Sequence, residues 1–328
     1  MRRRDFLAAL AGAAACARRA HAAQRPDPVI GYLYAGSQNA FPDDARKAFW
    51  QALAEFGYVR GRNVSVELRQ AHNDLGRLPD LALDLVRRRV SVIIVPGSME
   101  AVSAARSATD SIPIIFINAI TDPVRAGLVA SLSRPGGNIT GLADFGSVLS
   151  AKRLEFIKML VPDASRIGIL MTPINPMTAG ELVNAENGAR ALSLEATVAI
   201  ADNQQEIDAA FAMFAEKRVD AVCVIPTSLF FDRRAQIVAL AARYRLPAVY
   251  SHDHYPEVGG LMSYGISVAE RARQLGIYTG LILNGANPAE LPVRRLAKFE
   301  LVVNMSAAKA LGLTIPANLL AITDRVIE

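Results

Sequence analysis

The chain has 328 residues, 52% apolar and 20% charged; this excludes a disordered polymer and is more than one compact core of ordinary size holds. Its net charge of +5 is concentrated at the start, where residues 1–22 carry five Arg and one Asp, so the remainder is close to neutral. With aromatics at 6% and a single Trp, neither electrostatics nor base stacking argues for nucleic acid or an anionic membrane as partner.

The first segment reads as an export signal, residues 1–22. Arg2, Arg3 and Arg4 form a basic start, Phe6 to Ala17 an apolar stretch far too short to span a bilayer, and Ala20-His21-Ala22 a small-x-small cleavage site. Arg3-Arg4-Asp5-Phe6-Leu7 fits a twin-arginine signal, with an Arg-rich general secretory signal as the alternative. Cys16 sits in the signal, so lipid attachment there is a further alternative, although the usual Leu three residues earlier is absent. That leaves Cys223, in an apolar run, as a buried inert thiol with no partner for a disulfide in the mature chain.

Strand and helix signals then alternate. Val29 to Tyr34 is an apolar run expected to be a buried strand, and Asp43-Asp44 opens a helix with Ala45, Phe49 and Leu53 on one face and Gly57 as its stop. Val64 to Leu68 alternates like an edge strand; Leu78, Ala82 and Leu85 mark a helix, and Val90 to Val95 a strand broken by Pro96-Gly97. A helix from Glu100 to Ala108 and a strand from Ile112 to Ile117 follow. After the turn-rich Arg134 to Asn138 the pattern restarts, with strands at Ile167–Met171, Ala196–Ile200, Val219–Ile225 and Ala248–Tyr250 and helices between them. Gly259 to Gly265, a helix from Ala269 to Leu283 and a strand from Phe299 to Val303 form a tail too small for a third domain. Such βαβ alternation predicts two similar doubly wound parallel-sheet α/β lobes. The lobes are expected at 28–143 plus 263–290 and at 146–260 plus 294–328, joined by a three-crossing hinge. The crossings are placed near Asn138 to Phe145, Gly259 to Gly265 and Leu291 to Lys298.

Several blocks carry a family likeness. Ile112-Pro-Ile-Ile-Phe116, Thr121-Asp-Pro-Val124, Arg134-Pro-Gly-Gly-Asn138-Ile-Thr-Gly-Leu142, Lys152-Arg-Leu-Glu155, Gly259-Gly-Leu-Met-Ser-Tyr-Gly265, Lys298-Phe-Glu-Leu-Val-Val-Asn304 and Ala308 to Pro316 run in order over the mature chain. The chain resembles the ABC transporter periplasmic substrate-binding protein family often described as tryptophan- or tyrosine-binding-like. The resemblance implies a type I periplasmic-binding fold, a periplasmic monomer, a small-molecule ligand such as an amino acid or small organic acid, and an ABC permease of the inner membrane as partner. Many members resemble Tyr-Glu-Trp-Arg-Glu-Phe where this chain has Tyr250-Ser-His-Asp-His-Tyr255, so aromatic amino-acid specificity does not carry over.

Ligands of open α/β sheets bind beyond the carboxyl ends of the strands, at helix N-termini. That rule and the blocks together select Ser37, Ser98, Asn118, Asp122, Asn175, Thr227, Ser228, His252 and Tyr264 as candidate ligand-binding residues. Ser37 and Ser98 can hold a carboxylate or simply cap helices. Asp122 can pair with an ammonium or cap a helix opened by Pro123. Asn175-Pro176 can be a turn, Tyr264 can stack on a ligand or line the hinge, and Phe230 and Phe231 can form apolar walls or core. His252-Asp253-His254 has two ligands of the three or four that a metal wants, and His72 lies in the other half, so the segment reads as a solvated loop. No nucleophile elbow, phosphate loop, zinc helix or dinucleotide fingerprint is present. The expectation is no catalytic residue, no metal and no cofactor. A doubly wound enzyme, or a sensor that presents its ligand to a membrane receptor, remains as an alternative.

Overall fold

Strands buried on both faces must be apolar nearly throughout, and the chain supplies such runs at the centre of each lobe. The computed structural model describes residues 26–36, 42–118, 122–143, 147–173 and 178–328; the export signal with Cys16, and the candidates Ser37 and Asn175, lie outside the described residues.

In the first lobe β1 (Val29–Tyr34) is followed by α1 (Asp43–Ala54), β2 (Ser65–Gln70), a single 3-10 turn, α2 (Leu78–Arg87), β3 (Val92–Pro96), α3 (Met99–Ala108), β4 (Ile114–Asn118) and β5 (Ile139–Ala143). The second lobe starts with α4 (Ser147–Leu160), β6 (Arg166–Met171), α5 (Thr178–Ala191), β7 (Glu195–Ile200), α6 (Gln204–Glu216) and β8 (Ala221–Val224). It continues through α7 (Ser228–Asp232), α8 (Arg234–Arg243), β9 (Ala248–Tyr250), α9 (His254–Glu257) and β10 (Met262–Gly265). The tail holds α10 (Val268–Leu283), β11 (Arg294–Arg295), β12 (Glu300–Asn304), α11 (Met305–Leu311), α12 (Ala317–Leu320) and β13 (Arg325–Ile327).

Among the described residues the first sheet runs β11-β5-β4-β3-β1-β2 and the second β13-β12-β10-β9-β8-β6-β7. Neighbours pair in parallel except β10 and β12, which are antiparallel. Chain order reverses at β1 in one sheet and at β6 in the other, so each lobe has a switch point where the loops at the carboxyl ends diverge and leave a crevice.

The tail ties the lobes together. Helix α10 returns to the first lobe and packs on α1, where Leu275 and Ile282 join Phe49 and Leu53 in one buried cluster. Each such large apolar side chain, fully buried, contributes about 1.5–3 kcal/mol. The helices approach so closely that a Cβ on Gly276 would lie 2.5 Å from the Phe49 carbonyl oxygen. Arg294 of β11 pairs with Leu142 of β5, and the chain then rejoins the second sheet at β12.

These pairings move the expected boundaries. Met262 and Ser263 are in register with Val249 and Tyr250 of the second sheet, so the middle crossing falls between Gly265 and Val268 and not before Ser263. Residues 294–295 belong to the edge of the first sheet, so the last crossing falls between Arg295 and Glu300. No helix follows Pro123. The Ala126 N–H donates to the Asp122 carbonyl at 2.9 Å, and Gly127 then takes φ +66°, which ends the turn at once. Cys223 is fully buried in β8, and burial pushes its thiol up to about 11, which keeps it protonated and inert.

Candidate functional site

The cleft is built from strand ends of both sheets. Tyr32 and Tyr34, two residues apart on β1, point to one side. At the end of β3, Gly97 takes φ +68°, and its missing Cβ would stand 3.8 Å from Ser228 Oγ of the other lobe. Ser98 then caps α3, accepting from the Ala101 N–H at 3.2 Å and donating to Glu100 Oε2 at 2.9 Å. Across the cleft, Thr227 Oγ1 caps α7 by accepting from the Phe230 N–H at 3.2 Å, and Phe231 and His252 follow. The first two turns of α10 present Val268, Arg271, Ala272 and Leu275 at helical spacing along one stripe. With Ile117 these groups enclose a cleft of about 110 Å³ whose walls are mostly apolar.

Direct contacts bridge the lobes around it. The Tyr34 hydroxyl donates to Asp232 Oδ1 at 3.2 Å, 198 positions away in the chain. Arg271 on α10 reaches His252 Nε2 at 3.2 Å, and His254 Nε2 lies 3.2 Å from Asp44 Oδ1 on α1. A guanidinium only donates, so His252 Nε2 accepts and its ring proton sits on Nδ1, facing Ser251 Oγ at 2.7 Å. Burial, and after it the positive charge of Arg271, holds the His252 pKa well below the imidazole range. His254 differs. Burial alone would lower its pKa, but the hydrogen bond it donates to Asp253 and the charges of Asp253, Glu257 and Asp44 overcome this and raise it.

Thr227, Ser228 and His252 line the cleft. Ser98 is buried beside it as a cap, and Asn118 closes β4. Asp122 is not among the described lining residues; its carboxylate accepts the Val124 and Arg125 amides of its own turn, at 2.9 and 3.4 Å. Tyr264 also stays out of the cleft, packing edge-on to Phe156 with ring centres 4.9 Å apart, beside the buried Arg153 that donates to its carbonyl. Phe230 is core, whereas Phe231 is wall.

The segment from Ser251 to Tyr255 is not the expected solvated loop. Ser251, Asp253, His254 and Tyr255 are buried, because His252 and His254 each set a ring edge-on to Phe231, at 5.4 and 5.8 Å. Among the described residues no three His, Cys, Asp or Glu side chains converge as a metal ion would require. Tyr32, Tyr34 and Arg271 were not selected from sequence; the apolar positions 268, 272 and 275 flanking Arg271 at helical spacing are the signal that would have found it.

The model of the family described as ABC transporter substrate binding protein matches residues 39–327. The chain belongs to this family. It is 29% identical over 271 residues to a tyrosine-binding protein of Clostridioides difficile strain R20291, covering 83% of this chain and 77% of that relative. It is similar to the ABC domain solved in complex with L-Trp from Streptococcus pneumoniae, with a TM-score of 0.81 at 27% identity, covering 92% of this chain and 100% of that one. A ligand-free, open substrate binding protein with adhesive properties from Clostridium difficile matches at 26% identity, covering 92% of this chain and 99% of that one, but with a TM-score of only 0.64. At nearly equal identity and coverage the chain superposes better on the tryptophan complex than on the open form, in keeping with the contacts of Tyr34, Arg271 and His254 that bridge its lobes. The family and these neighbours are substrate-binding proteins, and the chain shares that role as a solute-binding component of an ABC transporter.

Proposed function

We propose that the mature protein works in the periplasm as a monomer, traps one small organic ligand in the cleft between β1 and α7, and delivers it to an ABC permease of the inner membrane. It performs no chemistry on the ligand and needs neither metal nor nucleic acid. The ligand is an amino acid or a small organic acid. The carrying observation is the cleft itself: residues of both lobes enclose about 110 Å³, and Tyr34–Asp232 bridges them at its rim. The relatives named for tyrosine and solved with L-Trp support the same class of ligand. Thr227, Ser228 and His252 meet the ligand from the second lobe, and Gly97 and Arg271 from the first.

A ligand that touches both lobes favours the closed state by its differential affinity. Calorimetry against amino acids and organic acids, paired with small-angle scattering, tests this. Binding is expected to shrink the radius of gyration, and an unchanged radius at saturation contradicts capture between closing lobes. Mass spectrometry of periplasmic protein tests the export reading; a mature form that retains Arg2 to Arg4 contradicts it.

A further inference from the structure

One apolar wall of the cleft is held from several sides. Phe231 stands in α7 between Phe230, which is fully buried, and Asp232, which is buried as well. Its N–H donates to the Thr227 carbonyl at 3.0 Å, in the turn that Thr227 caps. Its own carbonyl accepts from Arg234 Nη1 at 2.8 Å. The backbone that carries the ring is thus tied on both sides. The ring is held too. The Arg234 guanidinium lies over it, 4.9 Å from its centre, and the rings of His252 and His254 stand 5.4 and 5.8 Å away, inclined by 68° and 63°. His252 is fixed in turn by Ser251 and Arg271, and His254 by Asp253 and Asp44. Swinging Phe231 out of the cleft breaks a cation–π contact and two edge contacts together.

The facing border is of another kind. Val268, Ala272 and Leu275 line the cleft from α10, which is docked on the first lobe, so this border travels with that lobe as the cleft opens and closes. The gap between Phe231 and the α10 stripe is therefore set by the degree of closure. In the closed arrangement Tyr34 reaches Asp232 and His254 reaches Asp44. The space then enclosed is about 110 Å³, less than the roughly 150 Å³ of a cavity that takes a benzene ring. An apolar body too wide for the gap stops the lobes short of those contacts.

We propose that Phe231 is the specificity-determining wall of the cleft: it does not yield, and so it sets the largest apolar body on which the lobes can still close. The body it admits is compact and aliphatic, and a bicyclic one such as indole keeps the lobes apart. The assignment rests on the solute-capture reading above and deepens it by giving size selection to one residue.

The test is a size series on the intact mature protein in two chemistries. One series is L-valine, L-leucine, L-phenylalanine and L-tryptophan. The other is the same skeletons without the amino group: 3-methylbutanoate, 4-methylpentanoate, 3-phenylpropionate and indole-3-propionate. Calorimetry reads affinity and small-angle scattering reads closure. In the wild type the aliphatic members of at least one series are expected to bind and compact the protein. The indole member should be weaker by about tenfold or more, on the scale by which apolar pockets discriminate size. Phe231→Ala is expected to change the order: the indole member gains about tenfold or more and now compacts the protein, while the valine-sized member loses about tenfold with its wall removed. Phe231→Leu, which keeps an apolar side chain, should shift the order part of the way. Circular dichroism establishes that each variant is folded. A general loosening of the lobe weakens every member alike, so a folded Phe231→Ala protein that keeps the wild-type order overturns the proposal and leaves solute capture intact. So does a wild type that binds the indole member as tightly as the aliphatic ones and closes on it as fully. If no member of either series binds or compacts the protein, the ligand class proposed above falls and this assignment falls with it.

Discussion

His252 and His254 stand two residues apart, both set edge-on to Phe231, and both reach across to the other lobe, yet they meet opposite charges. His252 meets Arg271 and is held neutral; His254 meets Asp44 and Asp253 and is drawn toward its protonated form. A histidine's protonation follows from which groups the fold places beside it, and here a two-residue step changes the partner from a cation to carboxylates. The first ring faces the ligand space and the second the rim, so one segment divides ligand contact from lobe closure.

The comparison is broken most severely by removing Asp253. Its side chain is 8% exposed and lies 3.2 Å from His254 Nδ1 and 3.4 Å from Arg325. Asp253→Ala leaves two cations near one another without their buried partner and is expected to cost about 3 kcal/mol in urea unfolding, as for a broken buried pair. A loss below about 1 kcal/mol would mean that solvent already carries those charges. His252→Asn comes next, with a different signature: affinity for the bound ligand is expected to fall about tenfold, equivalent to about 1.4 kcal/mol, with the unfolding midpoint nearly unchanged. If stability falls and affinity holds, His252 is packing and does not meet the ligand.

Titration sharpens the contrast. His254 faces Asp253 and Glu257 from its own segment, Asp44 from α1 and Arg325 from β13, the last paired with Glu257 at 3.0 Å. Its pKa is raised in the folded, closed protein, so its stabilising contribution is full below the ordinary 6.5 and is lost as pH rises through the raised value. Ligand affinity should therefore weaken a few-fold with rising pH in that window, and Asp44→Asn should flatten the profile. His252, neutral throughout, contributes no step there, and a pH dependence that survives in Asp44→Asn but vanishes in His252→Asn would reverse the assignment. The smallest effect belongs to a charge pair of the same types outside the cleft: Arg46→Ala removes an exposed partner of Asp43 and should leave both melting temperature and affinity unchanged.

The lobes were legible because parallel strands buried on both faces read as unbroken apolar runs, as in Val29–Tyr34 and Ala221–Val224. The expected edge strand is β2, at the border of its sheet and largely unburied. Crossing positions were less legible. The glycines around Leu261 to Tyr264 look like a hinge, while register with Val249, Tyr250 and Val302 makes the segment a strand, and register is a long-range property. At Pro123 a good helix start was overruled four residues on by Gly127. In the site, Thr227, Ser228 and His252 follow strand ends and can be found by rule. Arg271 lies within a helix, and its direction depends on how α10 docks on α1. The burial of the Ser251–Tyr255 segment depends likewise on Phe231, which arrives from another helix.

The route of α10 and β11 also orders biosynthesis. The first sheet's outer strand at Arg294–Arg295 and the helix that covers Phe49 and Leu53 are translated only after nearly all of the second lobe. An emerging chain can finish neither half in isolation: the first remains without its cover, presenting an apolar face, until most of the polypeptide has left the ribosome. Such contacts of high sequence separation slow folding and lengthen exposure to aggregation. The nascent protein is thereby made a client for holding chaperones, and its maturation becomes a single late event rather than two successive ones.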